Sequence, residues 1–211
     1  AIWVKNNDDA QIVKNEINDN GATTFAKYGI LVEGGNSVDV DDNKIEETSI
    51  AGIAANNTTY IDIDDNLVKD GADGIRVEGG HHADIRGNET RDMSDDGIQV
   101  ISHNDVEIEG DNIVLRSKDS GITVSNSQRA KIDGNDVDVA KNGIRVTNGS
   151  DATVSNNDVD DASNAAIWVK NNDDAQIVKN EINDNGATTF AKYGILVEGG
   201  NSVDVDDNKI E

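Results

Sequence analysis

The chain has 211 residues, with 42 acidic against 18 basic side chains and a formal net charge of −24. That field excludes nucleic acid and anionic membrane surfaces as partners, because every phosphate contact would be made against it. No Cys is present, which removes disulfides and thiol chemistry, no apolar run approaches the ~20 residues of a membrane span, so no insertion is expected, and with 3% aromatic residues the core must be aliphatic.

Taken in order, the chain is a series of coils. Cutting before each Gly/Ala-Ile-x-Val/Ala places coil starts at Ala1, Gly29, Gly52, Gly74, Gly97, Gly121, Gly143, Ala166 and Gly194, about nine coils of 22 to 28 residues. In each coil a first strand alternates apolar and polar residues, as in Ile2-Trp3-Val4, Ile30-Leu31-Val32, Ile75-Arg76-Val77 and Ile144-Arg145-Val146. A second strand follows, as in Val38-Asp39-Val40, Ile61-Asp62-Ile63, Ala83-Asp84-Ile85 and Val106-Glu107-Ile108. Three residues after its last aliphatic stand Asn15, Asn43, Asn66, Asn88, Asp111, Asn135, Asn157, Asn180 and Asn208. Two further on, Ile17, Ile45, Val68, Thr90, Ile113, Val137, Val159, Ile182 and Ile210 mark a third strand. The reading is an all-β chain, one solenoid segment over residues 1–211, with three short strands per coil. The Asn column is expected to form an inward ladder, each Asn both taking the left-handed bend and passing amide hydrogen bonds to the next rung.

A second, longer period is nested in the first. Residues 1–46 recur letter for letter at 166–211, an offset of 165 residues or seven coils. Such a chain reads as a slice of a longer array, able to extend head to tail through its unpaired coil edges.

The Gly-Ile-x-Val and x-Val-x-Val-x-x-Asn-x-Ile patterns resemble the right-handed parallel β-helix repeats of pectate lyases, polygalacturonases, alginate epimerases, NosD-like periplasmic proteins, phage tailspikes and secreted adhesins. The resemblance covers the whole chain. It implies the fold, and it leaves function open between enzymes and passive stalks.

Three sets of residues are candidates for function. Asp39, Asp62, Asp84 and Glu107 are expected to stack outward in consecutive coils, with Asp41 and Asp64 alongside, until Lys131 ends the run. Like charges about 4.8 Å apart repel, so the expectations are calcium bridging, a setting of concentrated salt, or splayed and solvated side chains. Trp3, Phe25 and Tyr28, repeated as Trp168, Phe190 and Tyr193, offer either a surface for a sugar or a filament neighbour, or a local core under the loop after Ile17. His81, His82 and His103, with Arg76, Arg86, Asp84 and Asp96 near them, would suit polysaccharide chemistry, but the plain reading is exposed turn residues. Asp95-Asp96 resembles the paired aspartates of polygalacturonases, whose accompanying Gly-His-Gly and Arg-x-Lys elements are absent. No residue is therefore assigned a catalytic role. The expected function is a repeat segment of an extracellular or cell-surface filament, stalk or adhesin, partnered by itself and by a polysaccharide. The alternative is a polysaccharide-active β-helix enzyme or carbohydrate-binding module.

Overall fold

A computed structural model describes residues 1–18, 25–138, 141–183 and 191–211. The chain winds as a right-handed parallel β-solenoid with no helix among the described residues. Each coil contributes strands to three faces. The first and second faces join in one 15-stranded sheet, and the third forms a separate nine-stranded sheet. In three coils the first and second strands run together, over Thr48–Asp64, Asp73–Arg86 and Ile98–Glu109. The ninth coil, from Gly194, does not close within the chain, so the closed turns number fewer than the coil starts.

The interior is a set of aliphatic columns in register. Ile30 pairs with Ile53, which pairs with Ile75, then Ile98, Ile122, Ile144 and Ile167, and all seven are 0% exposed. Each added rung buries the one below it, which is how a chain this poor in aromatics fills its core. The Gly before the first strand is demanded by packing. A Cβ at Gly52 would collide with Val68 of the third face, and one at Gly121 with Val137.

The Asn ladder is present, with its side chains at the joint between the second and third faces. Asn66 Nδ2 donates to Asp64 O of its own turn and Val40 O of the preceding coil, both at 2.8 Å, and to Asn88 Oδ1 at 3.0 Å. Its backbone N–H also donates to Asn88 Oδ1, at 3.0 Å. Two features differ from the expectation. The left-handed residue is the one before each ladder Asn, at Lys14, Asp42, Asp65, Gly87, Asp111, Gly134, Asn156, Lys179 and Asp207. The ladder also passes through Asn112 and not through Asp111: Asn88 Nδ2 donates to Asn112 Oδ1 at 3.1 Å, and Asn112 Nδ2 to Asn135 Oδ1 at 2.8 Å. The extra residue of that coil is absorbed in the turn, where Gly110 and Asp111 are both left-handed. The shift carries on downstream, so Val114 and not Ile113 is the inward residue, paired with Thr90 and Val137.

Asn66→Leu should therefore cost about 1–3 kcal/mol by leaving buried carbonyls unpaired, whereas Asp111→Asn, at an exposed left-handed position that Asn tolerates, should be near neutral. Chemical denaturation of the two variants checks the assignment; equal stability losses at both positions would contradict it.

Candidate functional site

The outward column of the first face reads Trp3, Leu31, Ala54, Arg76, Gln99, Thr123, Arg145, Trp168 and Leu196. Beside it, two residues before each inward Ile, runs a short polar column of Asp73, Asp96, Ser120 and Asn142. Asp73 and the Asp95–Asp96 pair of the next coil bring one carboxylate oxygen each within 4.8 Å of one another. Asp96 is 0% exposed and Asp73 3%, while Asp95 faces solvent. The Asp96 N–H donates to Asp73 Oδ1 at 3.3 Å, the Ser120 N–H to Asp96 Oδ1 at 3.0 Å and Gln99 Nε2 to Asp96 Oδ2 at 2.9 Å. Arginines cover the pair from both sides. Arg76 meets Asp73 at 3.4 Å and Glu78 at 3.1 Å. Arg145 reaches back to Asp119 at 3.4 Å and Asp96 at 3.9 Å.

Burial governs the protonation of this cluster. It pushes Asp73 up to about 6, against which the Asp96 N–H hydrogen bond works, and it raises Asp96 as well. One carboxyl that keeps its proton toward neutrality, beside an exposed carboxylate from the next coil, is a pairing suited to acid–base work. Asp73 was missed from sequence because it precedes the alternating strand. The signal was present as Asp-Gly-Ile at 73–75 followed one coil later by Asp-Gly-Ile at 96–98.

The second face carries the expected acidic column in register: Asp39, Asp62, Asp84, Glu107, then Lys131. Alongside it run Asp41, Asp64, Arg86, Glu109 and Asp133. Arg86 was overlooked as the internal counter-charge; it pairs with Asp84 at 2.8 Å and Asp64 at 3.3 Å, and Lys131 pairs with Glu109. Asp84, Glu107 and Glu109 converge within 4.8 Å, whereas Asp39, Asp41, Asp62 and Asp64 join no such group among the described residues. Burial first, then the charges of Asp62 and Glu107, push Asp84 up to about 6 against the pull of Arg86, and burial raises Asp62 and Asp64. A cavity of about 150 Å³ lies here between the carboxylates and a stacked Tyr60–His82 pair, whose ring centroids are 4.5 Å apart.

The histidines divide among different settings. His81 and His82 are exposed. His103 departs from the exposed-turn reading: it is 0% exposed, with Nδ1 at 2.9 Å from Gly79 O, because it points into the corner opposite Gly80, where a Cβ would crowd its ring. Arg76 and Asp96 stand on the first face, Arg86 and Asp84 on the second. The aromatics also separate. Trp3 is 64% exposed and Phe25 53%, Tyr28 and Trp168 are half-buried, Tyr193 is 38% exposed, and Phe190 lies outside the described residues. Trp168 stands one rung above Arg145, so the structure places it on the strip that holds the Asp73 cluster.

Folded Asp73 keeps its proton up to about pH 6 while the unfolded carboxyl releases it near 3.8. Between those values the folded state binds more protons, and stability falls as pH rises. Asp73→Asn should flatten that fall, measured as melting temperature from pH 4 to 7; an unchanged profile would contradict the burial argument. Arg86→Gln should cost about 1 kcal/mol at pH 7, and added NaCl should recover part of it. Salt-independent melting of that variant would show that Arg86 is not the counter-charge of the column.

Two family models match the chain, "Right handed beta helix region" over residues 73–211 and "Periplasmic copper-binding protein (NosD)" over residues 1–136. No curated protein sequence matches. Among solved structures, the periplasmic alginate epimerase AlgG is similar with a TM-score of 0.67 at 17% identity, over 93% of this chain and 50% of that one. The A-module of the Azotobacter vinelandii mannuronan C-5 epimerase AlgE6 gives 0.63 at 11% identity, over 99% and 74%. Tailspike protein 2 of the Escherichia coli O157:H7 bacteriophage CAB120 gives 0.59 at 11% identity, over 98% and 35%. The chain thus spans half the length of AlgG, and likeness at these identities establishes the fold. With the two family models each matching well over half of it, the chain belongs to the right-handed β-helix repeat family.

Proposed function

We propose that the outer first face binds a polysaccharide along the solenoid axis and hydrolyses a glycosidic bond over the Asp73 cluster. The observation that carries this reading is the convergence of Asp73, Asp95 and Asp96 within 4.8 Å, with burial holding Asp73 at about 6. Arg76, which covers Asp73 at 3.4 Å, turns outward to the sugar, and the uncovered Asp73 delivers its proton to the glycosidic oxygen as the bond from the anomeric carbon to that oxygen breaks. At a spacing this short exposed Asp95 attacks the anomeric carbon as that bond breaks, forming a glycosyl ester, and water deprotonated by the now ionised Asp73 then cleaves the ester and frees Asp95. Asp96, fixed by Gln99 and the Ser120 N–H, holds the floor of the site. Arg145, whose pairing to Asp96 is a loose 3.9 Å, swings to sugar hydroxyls, and Trp168 gives a ring face one rung beyond it. The net charge of −24 favours a neutral chain over a polyanion at low salt. The names of similarly folded proteins, alginate epimerases, a tailspike and a glycoside hydrolase, support a carbohydrate role, and with the NosD match they favour a place outside the cytoplasm.

Copper, named in that family description, does not suit the donors present. Copper sites draw on Cys, Met and His. Here there is no Cys, the single Met93 is 0% exposed, His103 is buried with Nδ1 engaged, and exposed His81 and His82 join no group of three metal-capable side chains among the described residues. The groups of three metal-capable side chains among the described residues are all carboxylates.

A second reading, a repeat segment of a surface filament or stalk, is favoured by the verbatim recurrence of 46 residues. A stalk needs length and stiffness and no unrepeated site.

Reducing-end release from a panel of neutral glycans and polyuronates separates the readings. The expected result is release from one class, with Asp73→Asn and Asp95→Asn each slowing it by about 10²–10⁴-fold. No release from any member, or full activity in Asp73→Asn, would leave the stalk reading.

A further inference from the structure

The corner between the first and second faces is lined on its inner side by a polar column. Thr58 pairs with Gly80 and Gly80 with His103. The His103 N–H donates to Ser127 Oγ at 3.3 Å, and further along Gly149 pairs with Asn172. Thr58, His103 and Asn172 are 0% exposed and Ser127 3%. The two larger side chains each lie against a glycine, since a Cβ at Gly80 would stand 3.0 Å from the His103 ring and one at Gly149 2.9 Å from Asn172 Nδ2. Thr, Ser and Asn stay neutral, whereas His103 can take a proton.

The surroundings of His103 suit only the neutral ring. Gly79 O can only accept, so Nδ1 carries the hydrogen of the 2.9 Å bond and Nε2 holds the bare lone pair. Nε2 is enclosed and meets no hydrogen-bond partner among the described residues, so a proton placed there would be buried without an acceptor. The charges around the corner do not help it. His81 and His82 of the preceding coil are exposed and of the wrong sign when charged, and His82 stacks on Tyr60 of the coil before that. Glu78 is held by Arg76 at 3.1 Å, and Asp105, two residues on from His103, pairs with Arg129 of the next coil. Val100 and Val106, buried on either side along the strand, are aliphatic. Burial holds His103 below its ordinary value of 6.5, outweighing the backbone of Gly79, His82 and His81, and the charge of His81 acts in the same direction as burial.

The strand that bends at His103 runs unbroken from Ile98 to Glu109. Before the bend it carries Gln99, which fixes Asp96 at 2.9 Å. After it stand Glu107 and Glu109, which converge with Asp84. We infer that His103 is an acid-sensitive clasp: a proton taken at Nε2 drives its ring out of the corner, parts the coil of Ile98–Glu109 from that of Asp73–Arg86 at this point, and loosens the first-face and second-face clusters together. The opened corner binds a proton near 6.5 and the closed corner only at lower pH, so closure is strongest above 6.5 and weakens as pH falls below it. Asp73 works in the opposite sense, since its contribution falls as pH rises toward about 6.

Two measurements on the intact chain test the clasp. Nitrogen NMR of the imidazoles at pH 7.5 should find Nδ1 of His103 protonated and Nε2 bare, with the ring titrating below 6.5. Amide hydrogen exchange, corrected for the intrinsic rate, should show protection at residues 79–82 and 102–105 falling about five- to tenfold between pH 7.5 and 5.5, the effect of one proton taken up on opening. Residues 170–173, at the Asn172 corner, should not share that fall. His103→Asn copies the arrangement of Asn172 against Gly149 and has nothing to titrate, so it should abolish the fall at 79–82. A His103 midpoint at 6.5, a hydrogen on Nε2 at pH 7.5, or the same pH dependence in His103→Asn as in the parent chain would overturn the inference. The NMR readout needs no substitution, so a variant that failed to fold would leave the test intact.

Discussion

Each coil must turn a corner while burying the backbone of that corner, and the inward Asn makes this feasible. At Asn66 one amide group satisfies its own turn, the preceding coil and the next Asn, while the following Oδ1 takes the backbone N–H. Buried peptide groups left unpaired would cost more than the aliphatic columns could return. The ladder also fixes register. An Asn displaced by one residue would turn the neighbouring strand inside out, which is why the coil with an extra residue absorbs it in the Gly110–Asp111 turn and keeps Asn112 in line.

Fixed register on the inside imposes alignment on the outside. Every outward position becomes a column with one residue per rung, so a sequence that repeats residue types accumulates like charges. On the second face this produces a run of four acidic residues, relieved by Arg86 and Lys131. On the first face the acids of one column meet arginines of the next: Asp73 pairs with Arg76, and Asp96 and Asp119 with Arg145. Acids that are paired and covered can be buried, and buried acids hold protons to higher pH. A protonated carboxyl beside an open one thus arises from burial first and then from the stacked charges of Asp95 and Asp96, against the pull of Arg76.

The fold was legible in the sequence because its period is written in every coil by the same few residue types. The second-face column was legible for the same reason, since Asp39, Asp62, Asp84 and Glu107 hold one offset within an alternating strand. What escaped lay where alternation stops. Asp73 opens its strand ahead of the alternating residues, so no pattern announced its direction, and the corner beside it packs closely because Gly74 and Gly97 carry no Cβ. His103 looked like a turn residue, yet it fills space freed by Gly80 one rung below. Asp111 held the expected spacing, but the side chain that bonds across the rungs is that of Asn112, a substitution that only the hydrogen bonds display.

The central claim is that burial and stacked charge keep one carboxyl of the first face protonated toward neutrality. Titration of the Asp73 side-chain carboxyl carbon by NMR reads this directly in the folded protein. The account predicts a midpoint at about 6; a midpoint in the ordinary range of about 4 for an aspartate would contradict it.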